Sequence, residues 1–318
     1  MLNRFIGPVS LFFAFTLAGT SVVSARIVSG KLGTFTIAAV SLFFSLFILL
    51  PVCGKKLFQV VRTITAKDYL LMFLQALFGI FLFRMCLLNG LKHTSSGEAG
   101  ILTGATPAIT ALLALIFLKE SLNLVKLSGI VSTVAGILLV QGIISGNSAF
   151  TGQHFWGNLL VIGAAACESL FNMLSRLFAV RYTPGKSHNL PPQIQTLIVT
   201  VIALLLCLIP SISEQPVKNL MELGLKEWFA LLWYGIFVTA LAFIFWYEGI
   251  NRCGAVLAAA FSGMMPLTSM LLSALLLGEI PSLQQFAGGG CVVAGIVLIG
   301  SSQSHSSISN VKRQRVSS

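Results

Sequence analysis

Glu168, Asn172 and Arg176 follow one another at intervals of four residues, a spacing that puts all three on one face of a helix. The run that contains them, about 156–178, is otherwise apolar. A carboxylate, an amide and a guanidinium ranged along such a helix can hold a small polar solute, and Glu168, near the middle of the run, can also take up and release a proton. The competing interpretation is structural: an ion pair or hydrogen bond to a neighbouring helix, with Arg176 anchoring the end of its own. Arg84 is the one other cation deep in an apolar run, about 69–91. Its planar guanidinium suits a carboxylate, and it can equally pair with Glu168 or reach a helix end by snorkelling. Gln75 lies nine residues earlier, half a turn further round, so the two do not easily face one narrow cavity.

Trp246, Tyr247 and Glu248 close another apolar run, about 228–250. An aromatic-walled pocket and an interfacial belt are both open to Trp246 and Tyr247. Glu248 and Arg252 are four apart and fit a surface pair. Pro107 and Pro266 sit within apolar runs, where a proline removes a backbone donor and kinks the helix; the bend either shapes a pathway or serves packing alone.

Bond-making chemistry finds no support. Neither HExxH nor GxSxG occurs, and there is no GxxxxGK[ST] phosphate loop. His93, His154, His188 and His305 fall in loops or the tail, and Cys53, Cys86, Cys167, Cys207, Cys253 and Cys291 are scattered singly. Neither a metal site nor a cofactor is expected.

The elements that must carry these side chains follow from composition. The chain has 318 residues, 56% hydrophobic and only 9% charged, with 24 Phe and a mean hydropathy of +0.93. A soluble domain carries about 25% charged residues, so a soluble enzyme, a nucleic-acid binder and a disordered scaffold are excluded. The solvent is a lipid bilayer. Apolar runs of about 7–28, 34–52, 69–91, 98–118, 125–144, 156–178, 193–210, 228–250, 254–277 and 284–301 predict an all-α polytopic membrane protein with ten transmembrane helices. The tail, 302–318, is polar and basic and is expected to be disordered. The first run resembles a secretory signal, ending in Val23-Ser24-Ala25, but it is longer than an h-region and is taken as a retained helix. With the N-terminus inside, 14 Lys and Arg fall on the inner side, 5 on the outer side and Arg84 within the membrane. Most of the net charge of +11 thus becomes an orientation signal with both termini cytoplasmic, and not a sign of a nucleic-acid partner.

Sliding the chain by 159 lays residues 90–141 on 249–300 without a gap, with 15 of 52 positions identical. The matches include Gly90/Gly249, Gly104/Gly263, Pro107/Pro266, Glu120/Glu279, Gly129/Gly288 and the run Val134–Ile137 against Val293–Ile296. A weaker offset of 150 pairs Phe5/Phe155, Gly7/Gly157, Ala14/Ala164 and Arg26/Arg176. Each copy, 1–150 and 151–302, holds five predicted helices. An odd number turns the second copy over, giving two inverted five-helix repeats, an arrangement suited to alternating access. Glu120 and Glu279 close the fourth and ninth helices and look structural, with Asn123 and Ser282 as N-caps and Ser282 with Gln285 as a capping box. Gly129, Gly136, Gly288 and Gly295 are expected to allow close helix contact.

The stretch GLKHTSSGEAGILTGATPAITALLALIFLKESLNLVKLSGIVSTVAGILLV resembles the signature half of EamA-type drug/metabolite transporters. GINRCGAVLAAAFSGMMPLTSMLLSALLLGEIPSLQQFAGGGCVVAGIVLIG resembles it more closely still. The resemblance implies a ten-helix secondary transporter, in many relatives an exporter of amino acids and other metabolites. One departure stands out: the family often has an Arg in its second helix where this chain has Ser41. The combined expectation is a small-molecule exporter in a bacterial inner membrane, amino-acid-like in substrate, with possible proton coupling and a possible homodimer. Its pathway would draw on Glu168, Asn172, Arg84, Gln75, Trp246, Tyr247 and Glu248, with kinks at Pro107 and Pro266. The predicted first, third, fourth, sixth, eighth and ninth helices would line it and the fifth and tenth pack at the periphery. A nucleotide-sugar or drug carrier of the same fold and a non-transporting membrane scaffold are the alternatives.

Overall fold

In hydrocarbon every backbone N–H and C=O must be satisfied within the chain, which leaves helices for runs as apolar as these. The computed structural model describes residues 2–54, 57, 64–118, 124–140, 152–181, 191–262, 264–279 and 281–316, and all regular structure among them is helical. The first half holds α1 (Leu2–Ser29), α2 (Thr34–Cys53), α3 (Ala66–Ala76, continuing through Leu77–Leu82 and Phe83–Gly90), α4 in two pieces (Ser96–Thr103 and Thr106–Leu118) and α5 (Leu124–Val140). The second half holds α6 (Gly152–Arg181), α7 (Pro192–Ser211), a short helix (Pro216–Met221), α8 (Leu225–Trp233, Tyr234–Leu241 and Ala242–Phe261), α9 (Met264–Leu277) and α10 (Leu283–Val316). Among the described residues six helices are long and apolar enough to cross a membrane, and Leu124–Val140, Met264–Leu277 and Leu283–Ile299 are shorter apolar ones. Their outer surfaces carry residues such as Phe47, 60% exposed, where a water-soluble bundle would carry charge.

The structure corrects several expectations. Pro107 and Pro266 are not in mid-helix. Each opens a helical piece just after a break, as its second or third residue, the place where a missing N–H costs least. The break expected between 250 and 254 lies instead after Phe261, so Ala242–Phe261 runs on as one helix. The tail is not disordered: α10 continues to Val316. Glu120, Asn123 and Gly263 lie outside the described residues.

The two halves meet along α5 and α10. A Cβ on Gly129 would lie 2.8 Å from Gly295 O, and one on Gly295 2.6 Å from Gly129 O. A Cβ on Gly136 would lie 2.5 Å from Gly288 O, and one on Gly288 2.6 Å from Gly136 O. Under the repeat offset Gly129 corresponds to Gly288 and Gly136 to Gly295, so each contact is the other turned through a twofold, and the helices run antiparallel. Ser132 donates its hydroxyl to Cys291 O at 2.7 Å, and Cys291 is its own counterpart in the second half. Backbones this close admit glycine only.

Gly136→Leu should therefore lower the unfolding midpoint in a denaturing-detergent titration by the equivalent of about 1–3 kcal/mol, the usual cost of overpacking. Gly290→Leu, where a Cβ meets nothing within 4 Å, should stay within about 0.5 kcal/mol of the parent. Equal effects would contradict this interface.

Candidate functional site

Near the middle of the bundle α1, α3, α6, α8 and the start of α9 surround a cavity of about 110 Å³. Its walls are mostly apolar and aromatic, with Phe15, Phe83, Phe171, Phe243 and Trp246 among them, and Arg84, Glu168 and Asn172 are its polar members on α3 and α6. Phe171 stacks edge-on to Phe243 at 5.8 Å and lies 5.9 Å from Trp246. An apolar wall with a few convergent polar groups is the usual form of a small-molecule site.

Two segments of the wall are not ordinary α-helix. Leu77–Leu82 of α3 and Tyr234–Leu241 of α8 are π-helical, and they occupy equivalent places in the two halves. A π segment widens the turn, and within the second one the Thr239 hydroxyl donates to Tyr234 O at 2.9 Å. Nothing in the residue types signals such a register change, and sequence reasoning missed both.

Arg84 is 5% exposed. Its Nη1 donates to Ser41 Oγ at 2.6 Å and to Ala38 O at 3.4 Å, and its Nη2 donates to Thr239 Oγ1. Its guanidinium carbon sits 4.4 Å from the centre of the Tyr234 ring. Ser41 and Thr239 give their own protons to Ala38 O and Tyr234 O, so both hydroxyls are set to accept from Arg84. All of these partners are neutral. Among the described residues no carboxylate lies within 4.0 Å of the guanidinium, although Glu168 lines the same cavity. The cation comes from α3 and lands on Ser41 of α2.

Glu168 is partly buried and is held by Thr106 of α4, whose Oγ1 lies 2.9 Å from Glu168 Oε2. The next residue, Ser169, places its hydroxyl 2.9 Å from Thr106 O. α4 thus reaches the site through Thr106, a residue that drew no notice in the sequence. Asn172, one turn beyond Glu168, shares the cavity wall. Gln75 does not: it is fully buried, and its Oε1 accepts from Gln195 Nε2 of α7 at 2.9 Å. Tyr247 is buried behind Trp246, with ring centres 4.8 Å apart. Glu248 pairs with Arg252 at 2.5 Å, both side chains a third or more exposed and away from the cavity. Arg176 lies two turns along α6 from Glu168.

One end of the bundle is tied across the two halves by carboxylates. Glu279 accepts from the backbone N–H of Ser96 at 2.9 Å and of Gly97 at 3.3 Å, capping α4, and takes the Ser273 hydroxyl. Glu98 accepts from Thr94 at 2.7 Å and from Gln285 at 2.7 Å and meets His154 Nε2 at 3.1 Å. Glu214 caps α2 through Phe35 N at 3.1 Å and Thr36 N at 2.7 Å, and Lys31 pairs with Glu227 at 2.7 Å. Gln285 also completes the capping box with Ser282. A carboxylate at a helix N-terminus meets unpaired N–H groups and a favourable dipole.

The chain is similar to known proteins along most of its length. The model of the EamA-like transporter family matches residues 5–142 and again 155–301. A Bacillus subtilis (strain 168) protein described as an uncharacterized transporter, YetK, is 29% identical over 294 residues, covering 91% of this chain and 84% of the relative. A Streptantibioticus cattleyicolor protein named a probable terminal-alkyne amino-acid exporter is 22% identical over 239 residues, 75% of each chain. A solved crystal structure of a protein superposes with a TM-score of 0.63 at 19% identity, covering 93% of this chain and 98% of the other, which speaks for the fold alone. With the family's domain matched twice, the chain belongs to the EamA-like transporters and is a multi-pass membrane protein.

Proposed function

We propose that the chain is a secondary transporter that exports a small amphipathic, amino-acid-like metabolite by alternating access. Ten membrane-crossing helices form two inverted five-helix repeats, 1–150 and 151–302, in the inner cell membrane with both termini cytoplasmic. Support comes first from one observation: Arg84 and Glu168 line a single cavity without pairing with each other. A buried charge in a membrane bundle costs about 3 kcal/mol on insertion scales, so two opposite charges kept apart across a cavity suit a zwitterion placed between them. The guanidinium takes the carboxylate, Glu168 and Asn172 take the ammonium, and the aromatic wall takes the side chain. A phosphorylated cargo would call for more cations, and Arg84 is the single Lys or Arg among the lining residues. The coupling ion is a proton, carried at Glu168. The name of the Streptantibioticus relative points the same way.

The tied end bearing Glu98 and Glu279 acts as the closed gate, and the paired breaks before Pro107 and Pro266 let each half tilt. Scaffolding without transport would leave the charged cavity unexplained.

Reconstituted protein screened with amino acids for counterflow should give saturable flux. Arg84→Ala and Glu168→Gln should each lower it by roughly tenfold or more, the weight of a lost charged hydrogen bond. Glu248→Gln, whose carboxylate lies away from the cavity, should leave it unchanged. Absence of flux for every candidate, or variants indistinguishable from the parent, would overturn both substrate class and site. For the gate, Glu279→Gln together with Glu98→Gln should raise labelling of Ser21→Cys by an impermeant thiol reagent applied at the face bearing Arg26. Unchanged labelling from that face would refute the gate.

A further inference from the structure

The break in α4 carries an unresolved competition for one proton. Pro107 has no N–H, so the carbonyl four residues earlier, on Thr103, loses the donor that a continuous helix would supply. The Thr106 hydroxyl stands in for it, with Oγ1 2.9 Å from Thr103 O. That same oxygen lies 2.9 Å from Glu168 Oε2. A threonine hydroxyl has a single proton to donate, so it cannot serve both acceptors.

The protonation state of Glu168 decides between them. When the carboxyl is neutral, its own O–H donates to Thr106 Oγ1, and Thr106 donates onward to Thr103 O; every group is satisfied. When it is ionised, the carboxylate and the Thr103 carbonyl are both acceptors. The charge-assisted bond is the stronger, so Thr106 turns to Glu168 and Thr103 O is left bare in an apolar surrounding. The Ser169 hydroxyl lies between the two helices at this point, 2.9 Å from Thr106 O and 2.8 Å from Ala165 O. At the equivalent break in the second half Ser262 O receives the backbone N–H of Met265 at 3.1 Å. The titratable and charged groups that share the cavity with Glu168 are Arg84 of α3 and Tyr234 of α8; beside it on α6, Cys167 meets Cys86 of α3. At this point α4 offers only hydroxyls and carbonyls among the described residues.

We propose that Thr106 is a positioning residue that couples the proton on Glu168 to the rigidity of the α4 break: a neutral Glu168 keeps the break capped, and an ionised one uncaps it. This rests on the assignment of Glu168 to the transport cavity, and it places a pH-sensitive hinge in the first half.

Hydrogen exchange on the full-length protein in lipid nanodiscs tests it without any substrate, so it succeeds or fails independently of the counterflow assay. Corrected for intrinsic rates, the segment spanning Thr103–Pro107 should exchange roughly tenfold faster at alkaline than at acidic pH, the equilibrium weight of one buried hydrogen bond. Glu168→Gln, whose amide can donate to Thr106, should be slow at both. Thr106→Val should be fast at both, and Thr106→Ser, which keeps the hydroxyl, should follow the parent. A parent with no pH response, a Thr106→Val protein that keeps one, or a Glu168→Gln protein that keeps one would each overturn the proposal. Should Thr106→Val fail to fold, the Glu168→Gln and Thr106→Ser proteins still decide it.

Discussion

A guanidinium sealed into an apolar bundle with only neutral partners governs the centre of this protein. Arg84 is fixed from three directions: by Ser41 and Ala38 of α2, by Thr239 of α8 and by the face of Tyr234. These contacts engage Nη1 and Nη2 and bring no opposite charge among the described residues. In a low-dielectric interior an uncompensated charge attracts an opposite one strongly, and the nearby carboxylate of Glu168 is engaged elsewhere, by Thr106. The arrangement keeps a guanidinium and a carboxyl group apart on two walls of one cavity. It also explains why α2, α3 and α8 must keep their mutual register: Arg84 of α3 bonds to Ser41 of α2 and to Thr239, which sits within the π segment of α8.

Around this centre the repeat does two things. Where α5 crosses α10, glycine meets glycine reciprocally and a serine touches its own counterpart, giving a rigid seam on the twofold. Elsewhere the halves are joined by contacts that can be remade. Carboxylates from one half cap helices of the other at a single end; α4 is broken just ahead of Pro107, and the break between α8 and α9 lies just ahead of Pro266.

Much of this was legible in the residues. The 159-residue offset displayed the repeat because glycines, a proline and a glutamate are hard to match by composition alone. Arg84, Glu168 and Asn172 stood out because charge and amide are rare in such runs, and all three line the cavity. Other features carried no signal of their own. Thr106 is one of many threonines in apolar helices and matters only because Glu168 lies 2.9 Å away. The π segments follow from packing and not from propensity. Tyr247 and Glu248 drew attention as neighbours of Trp246, yet adjacent residues on a helix point in different directions, and only Trp246 lines the cavity. The prolines were read as kinks, but a helix in this bundle resolves a missing donor by stopping and restarting.

The central claim is that Arg84 and Glu168 together recognise a zwitterion, and ligand-induced stabilisation tests it most directly. In detergent, an amino acid bound at this site raises the thermal midpoint in a concentration-dependent way, because it binds the folded state alone. The account predicts stabilisation by the free amino acid that is lost when its carboxylate is esterified and lost again in Arg84→Ala. Equal stabilisation by the ester, or by the amino acid in the Arg84→Ala protein, would contradict it.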